Sequence, residues 1–232
     1  MMVEQVSIVP LAVTLDGTGA GCVAGFDPVG NRWIRPEPIT GTDIIFPSGQ
    51  FELFRACTLT VADAHTSDAR PEDRSWCRED GIIRRDLLGP EARRRLLEQV
   101  CDQNVETAFR GERSVGVIRV RALDVHVGRS TGRRLFHRLR FIDASDELFD
   151  WIVRDVRVLN TFSQLNSQEG AQRLRTFSES IADTAVYISI GLTKPNHRFP
   201  GRFRGCHPLV VGFLSDLGIN SFADSTKEAT HG

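Results

Sequence analysis

The chain has 232 residues, 41% of them hydrophobic and 25% charged, and its 29 basic and 30 acidic residues leave a formal charge of -1. A chain this long buries roughly 70% of its unfolded surface, so one large domain or two small ones are expected and wholesale disorder is excluded. The charge excludes a basic protein overall, no apolar run approaches the ~20 residues that cross a bilayer, and the opening MMVEQVSIVPLAV, with Glu4 and Pro10 and no basic leader, makes a poor signal peptide. A soluble, cytoplasmic protein is the expectation. Cys22, Cys57, Cys77, Cys101 and Cys206 are scattered without a CxxC pair, so reduced thiols are expected rather than a disulfide framework.

Residues 6–62 read as short strands: SIVPLAVTL, the turn-rich DGTGAG, CVAGF, the turn DPVGN, RWIRPEP and, after PSGQ, the β-prone FELFRACTLTV. A meander closing into a small barrel follows from that order. HTSDARPEDRSW is polar and loop-like. GPEARRRLLEQVCDQNVETAF then predicts a helix, with Pro90 in the first turn, Leu96, Leu97 and Val100 at helical spacing and Gly111 as its stop. Strand character returns in SVGVIRVRALDVHV and RRLFHRLRFID. DELFDWIVRDVRVLNTF has Leu148, Trp151, Ile152, Asp155, Val156 and Leu159 near i, i+3, i+4 spacing and predicts a helix; Ser163 to Ser180 reads as a loop with a short helix. TAVYISIGL and HPLVVGFL predict buried strands, and Ala223 to Gly232 a frayed tail. The sum is a mainly β protein with minor α content. Residues 1–62 form one barrel, 63–112 a loop and helical connector, 113–215 a second barrel with an inserted helix, and 216–232 a tail.

Charge is segregated along this frame. Nine arginines against Glu112 and Asp124 give residues 110–140 a formal charge of +7, and residues 194–207 carry Lys194, Arg198, Arg202 and Arg204 with no acid. Asp143, Asp146, Glu147, Asp150 and Asp155 make the stretch between them acidic, a pattern suited to a polyanion or an acidic partner. In a strand over Arg133–Ile142, Leu135, His137, Leu139 and Phe141 share one face. Arg134, Phe136, Arg138 and Arg140 share the other. Guanidinium groups around an exposed ring are what a single strand of nucleic acid requires, cations for phosphates and a platform for a base. The same pattern also describes a solvated edge strand that resists aggregation. On the preceding strand Ile118, Val120 and Ala122 turn inward and Arg119 and Arg121 outward, and a change of phase near Leu123, Val125 and Val127 predicts a bulge. Arg202, Phe203 and Arg204, beside the Pro200-Gly201 turn, belong either to a loop that wraps a strand or to a surface hairpin.

Other constellations are thin. DGTGAG precedes a strand, not a helix, so it reads as a hairpin rather than a nucleotide loop. His65, Cys77, Cys206 and His207 lack zinc spacing. Asp63 and His65 have no accompanying nucleophile motif, and Glu72 and Asp73 read as a loop cap. No catalytic residue, metal or cofactor is nominated.

Three segments together resemble the bacterial dual OB-fold domain family: CVAG followed by RWIRP (Cys22, Gly25, Trp33, Ile34, Arg35, Pro36), a His then PEDRSW (Pro71, Glu72, Trp76), and YISIGLTKP leading to HPLVVGFL (Ser189, Leu192, Val210). The resemblance spans about residues 5–215, apart from 163–180 and 198–204. It implies two tandem OB-like β-barrels and a nucleic-acid-binding role, often beside anti-phage or mobile-element systems. Trp33 and Arg35, two apart on one strand, are then either a stacking ring and a phosphate clamp or core residues; Trp76 either stacks on a ligand or plugs a barrel seam. The leading expectation is a non-enzymatic module for single-stranded DNA or RNA. The alternatives are a protein-interaction or nucleotide-sensing module and, behind these, a metal-dependent nuclease using Asp63, His65 and Glu72.

Overall fold

The computed structural model describes residues 2–16, 19–44, 49–63, 70–129, 135–162, 167–196 and 203–215. In chain order these contain β1 (Val3–Leu15), β2 (Ala20–Asp27), β3 (Arg32–Glu37), β4 (Ile39–Thr40), α1 (Gly41–Ile44), β5 (Arg55–Asp63), β6 (Asp73–Trp76) and β7 (Ile82–Leu87). Then follow α2 (Pro90–Val100), β8 (Cys101–Asp102), α3 (Val105–Ala108), β9 (Val115–Arg129), β10 (Leu135–Ile142), β11 (Leu148–Val153), α4 (Val156–Thr161), α5 (Gln168–Ile181), β12 (Ala185–Leu192) and β13 (Pro208–Phe213). The protein is mainly β with minor α, in two sheets. No helix among the described residues is long and apolar enough to cross a membrane.

Each sheet closes on itself, and both close by the same connections. The first half of β1 pairs antiparallel with β5 and its second half with β2; β2 pairs with β3, β3 runs parallel to β6, and β6 returns to β5. In the second sheet the first half of β9 pairs with β12 and its second half with β10; β10 pairs with β11, β11 runs parallel to β13, and β13 returns to β12. The bends also coincide. Leu11 of β1 and Leu123 of β9 are each skipped in the pairing, so both long strands bulge where they pass from one partner to the other. The bulge at Leu123 is where the phase change predicted it.

Several boundaries differ from the sequence reading. Residues 148–153 form a strand, not a helix. Phe149, Trp151 and Val153 turn inward while Leu148, Asp150 and Ile152 do not. The helical spacing arose because this strand runs directly into α4, which Asp155 caps by accepting from Arg157 N at 2.8 Å. The stretch read as a loop with a short helix holds the 14-residue α5, whose narrow stripe of Gly170, Leu174, Phe177 and Ile181 is buried beneath a polar face. The connector also yields strands, β6 and β7, to the first sheet, and its helix ends at Val100, where Cys101 and Asp102 pair with β9.

Two large apolar clusters fill the structure. The second lies within the β9–β13 ring, around Phe141, Phe162, Phe177 and Phe213. Among its residues sits His137, 4% exposed, its ring centroid 6.0 Å from that of Phe162. Burial holds its pKa below the ordinary histidine range, against a backbone hydrogen bond at Phe162 that raises it. The unfolded chain therefore takes up a proton first, and stability falls as pH drops through about 6.5 until the folded-state pKa is reached. Melting temperatures from pH 8 to 5 should fall more steeply for the native chain than for His137→Leu; parallel curves would remove His137 as the cause.

The first cluster is not confined to one ring. Val115, Val117, Val211 and Leu214 pack in it with residues of β1, β2 and β3. Polar contacts lock the same seam. Ser189 Oγ donates to Leu11 O at 2.5 Å, Thr14 bridges to Asp155, and Glu72 accepts from Ser114 N and Oγ, both at 2.8 Å. A Cβ on Gly212 would lie 2.6 Å from Leu11 O, a backbone atom that cannot turn aside. Gly212→Ala should therefore cost about 1–3 kcal/mol, read as a lower urea midpoint at unchanged slope. An unaltered midpoint would mean that the seam yields at no cost.

Candidate functional site

The outward face of β9, β10 and β11 carries Arg119, Arg121, Phe136, Arg138 and Arg140, five of the residues singled out in the sequence. The register sets Asp124, Arg140 and Asp150 in one cross-strand row and His126, Arg138 and Ile152 in the next, with Phe136 opposite Gly128. Alternation along β10 is as expected: His137, Leu139 and Phe141 are buried, while Phe136, Arg138 and Arg140 are not. Arg138 Nε lies 2.8 Å from Asp150 Oδ1, and Arg138 Nη2 donates to the Asp150 carbonyl. Gly128 makes room for this, since a Cβ there would meet Arg138 Cδ at 2.4 Å. Arg140 Nη1 lies 3.5 Å from Asp124 Oδ1. His126 stands between the two acids, Nδ1 3.1 Å from Asp124 and Nε2 3.5 Å from Asp150. The Arg154 guanidinium lies 5.3 Å from the Phe136 ring centroid. Arg119 and Arg121 are exposed and, among the described residues, form no ion pair.

All these ion pairs are open to water, with the Arg138 and Arg140 side chains 28% and 45% exposed. Such pairs contribute little to stability, so each arginine can exchange its carboxylate for a phosphate at small cost.

The second basic stretch meets the first. Arg204 Nη2 donates to Arg113 O at 3.0 Å. Phe203 packs edge-on against Phe109 at 5.2 Å and Trp151 at 6.1 Å. His207 is held below the ordinary histidine range by burial and then by the positive charges of Arg138 and Arg154. Arg134, Arg202 and His65 lie outside the described residues.

Trp33, Arg35 and Trp76 are placed otherwise than a ligand-contact role requires. They are 6%, 2% and 7% exposed. Trp33 packs edge-on to Phe26 at 5.8 Å and Trp76 to Phe51 at 5.4 Å, with the Arg78 guanidinium 4.3 Å from the Trp76 centroid. Arg35 reaches Asp73 and Ser114 O, both at 3.4 Å. A buried ring offers no platform to a base, so these are core and seam residues. The matching connections of the two rings explain why. Aligned at the two bulges, Ala12, Ala24 and Arg35 in the first ring take the places of Asp124, Arg140 and Asp150 in the second. In the first ring that face is buried; Arg35 on it donates to Ser114 O, and the carbonyl of Leu11 at the bulge accepts from Ser189 Oγ of the second half. One copy of the face is used as a joint and the other is open.

Glu72 and Asp73, read as a loop cap, serve the same joint: Glu72 through Ser114, Asp73 through Arg35 and through Arg70 at 3.1 Å. All five cysteines are free thiols, and burial pushes Cys57 up to about 12. Among the described residues no group of three or more His, Cys, Asp or Glu side chains is placed to hold a metal ion. Sequence reasoning missed His126, Asp150 and Arg154 as parts of the face. Carrying the alternation past the bulge at Leu123 would have found His126.

No protein-family model matches the chain, and no curated protein matches it in sequence.

Proposed function

We propose that the chain is a module that binds single-stranded DNA or RNA across the open β9–β10–β11 face. The observation that carries this reading is the half-buried Phe136 ring, beside Arg154, in line with Arg138 and Arg140 on the outward face of β10. Arg119, Arg121, Arg138 and Arg140 would meet phosphates, with Arg204 beyond them, and Phe136 would stack a base. The repeated ring connectivity and the bulged first strands support reading each ring as an OB-like barrel, an architecture that presents a strand face and adjoining loops to oligonucleotides.

Fluorescence anisotropy with a labelled ~20-nucleotide strand and its duplex, at 50 and 200 mM salt, tests the proposal. If four phosphates are engaged, affinity for the single strand should fall about 50-fold between those salts, at ~0.7 decades per phosphate per decade of salt. Phe136→Ala should cost a further ~1–3 kcal/mol. Preference for the duplex would discard the stacking role. No binding to either nucleic acid would turn the interleaved Asp124, His126, Arg138, Arg140 and Asp150 toward the second reading, a protein partner of matching charge pattern.

A further inference from the structure

A cleft of about 560 Å³ opens between the turn that follows α3 and residues 203–204, lined by Phe109, Arg110, Gly111, Leu192, Phe203 and Arg204, with Glu106 the one acid among the described lining residues. It is distinct from the strand face, since neither Arg138 nor Arg140 reaches it. We propose that this cleft binds a single nucleotide unit, the base against Phe109 and Phe203 and the phosphate on Arg110 and Arg204. The choice of a phosphate ester over other anions rests on the nucleic-acid reading above.

The volume lies within the range of small-molecule sites, and so does the chemistry, an apolar wall with a few polar groups at its edge. Phe109 and Phe203 are both half-buried, their planes 77° apart, so each keeps part of its surface toward the cleft. Leu192, 5% exposed, extends the apolar wall. Arg110 and Arg204 are exposed beside these rings, and the bond from Arg204 to Arg113 O fixes its direction before any ligand arrives. Gly111 has φ +66°, a left-handed turn that glycine takes without strain, directly after Arg110. Glu106, at the edge of the cleft, can accept from a base amino group.

Isothermal titration calorimetry of the whole chain with the four nucleoside 5′-monophosphates and with inorganic phosphate decides the matter. Monophosphates should bind and phosphate alone should not. Arg110→Ala and Phe203→Leu should each weaken binding at least tenfold, while Arg95→Ala, on the exposed side of α2, binds as the native chain does. Arg110 is exposed, so its variant remains informative should Phe203→Leu fold poorly. If a 20-nucleotide strand displaces the monophosphate, the unit belongs to a strand; if it does not, the ligand is a free nucleotide. No binding of any monophosphate, or binding indifferent to Arg110→Ala, overturns the proposal. Strand binding that persists in that event leaves the strand-face reading standing, and monophosphate binding without strand binding removes that reading alone.

Discussion

Replacing Asp155 by alanine should lower the melting temperature by on the order of 10 °C. Asp155 is fully buried, yet its carboxylate accepts from Arg157 N at 2.8 Å, Phe213 N at 2.8 Å and Arg157 Nη2 at 2.9 Å. Arg157 in turn donates to Phe213 O, and Asp155 itself bridges to Thr14. One side chain thus caps α4, holds the end of β13 and stands where the two rings touch. Removing it strands a buried N–H and separates an ion pair, a loss that typically costs about 3–5 kcal/mol. The Arg157 side chain is 29% exposed, so water recovers part of its share and the lower end applies. Asp155→Asn keeps one acceptor and should lose about half as much. A melting temperature within a degree of the native value for Asp155→Ala would show that the joint holds by apolar contact alone.

The second large effect concerns affinity and comes as a pair of opposite signs. Arg138→Ala/Arg140→Ala should weaken binding of a single strand more than tenfold at low salt and shallow the salt slope by about 1.4, two phosphate contacts at ~0.7 each. Asp124→Asn/Asp150→Asn removes the carboxylates those arginines now face, at 3.5 and 2.8 Å, and should tighten binding about 5-fold, a gain that shrinks with salt. A face serving a polyanion must respond in these two directions. If both double variants bind more weakly, the charges act as an ordered lattice for an alternating partner, and the phosphate assignment fails.

Much of this face was legible in the sequence because it is local. Period-two alternation over Leu135–Ile142 needs no knowledge of the rest of the chain, and the bulge at Leu123 announces itself as a slip in that period. What could not be read was partnership. Asp150 follows Arg138 by twelve residues and lay in a stretch taken for a helix; only the β10–β11 register sets them side by side. Trp33 and Arg35 do share a strand face, as their spacing implies, but whether that face is wet or covered depends on Ser114 and on residues of β12 and β13. The polar majority of α5 hid a helix whose apolar stripe has only four buried positions.

The covered face of the first ring bears on how the chain comes off the ribosome. Val9, Ala12, Ala24, Phe26 and Trp33 are all buried in the finished protein, yet the side chains that share their cluster include Val211 and Leu214, near the far end of the described chain. Leu96, Leu97 and Val100 of α2 join this cluster early, but the part that Val211 and Leu214 complete must wait for roughly 100 further residues after α2, on the order of 5–20 s at ordinary elongation rates. A nascent chain stalled before β9 should be held by chaperones or aggregate, and only release of β13 should make it protease-resistant. The shared cluster therefore predicts that the two rings unfold in a single transition, with the first ring unable to hold its fold without the second.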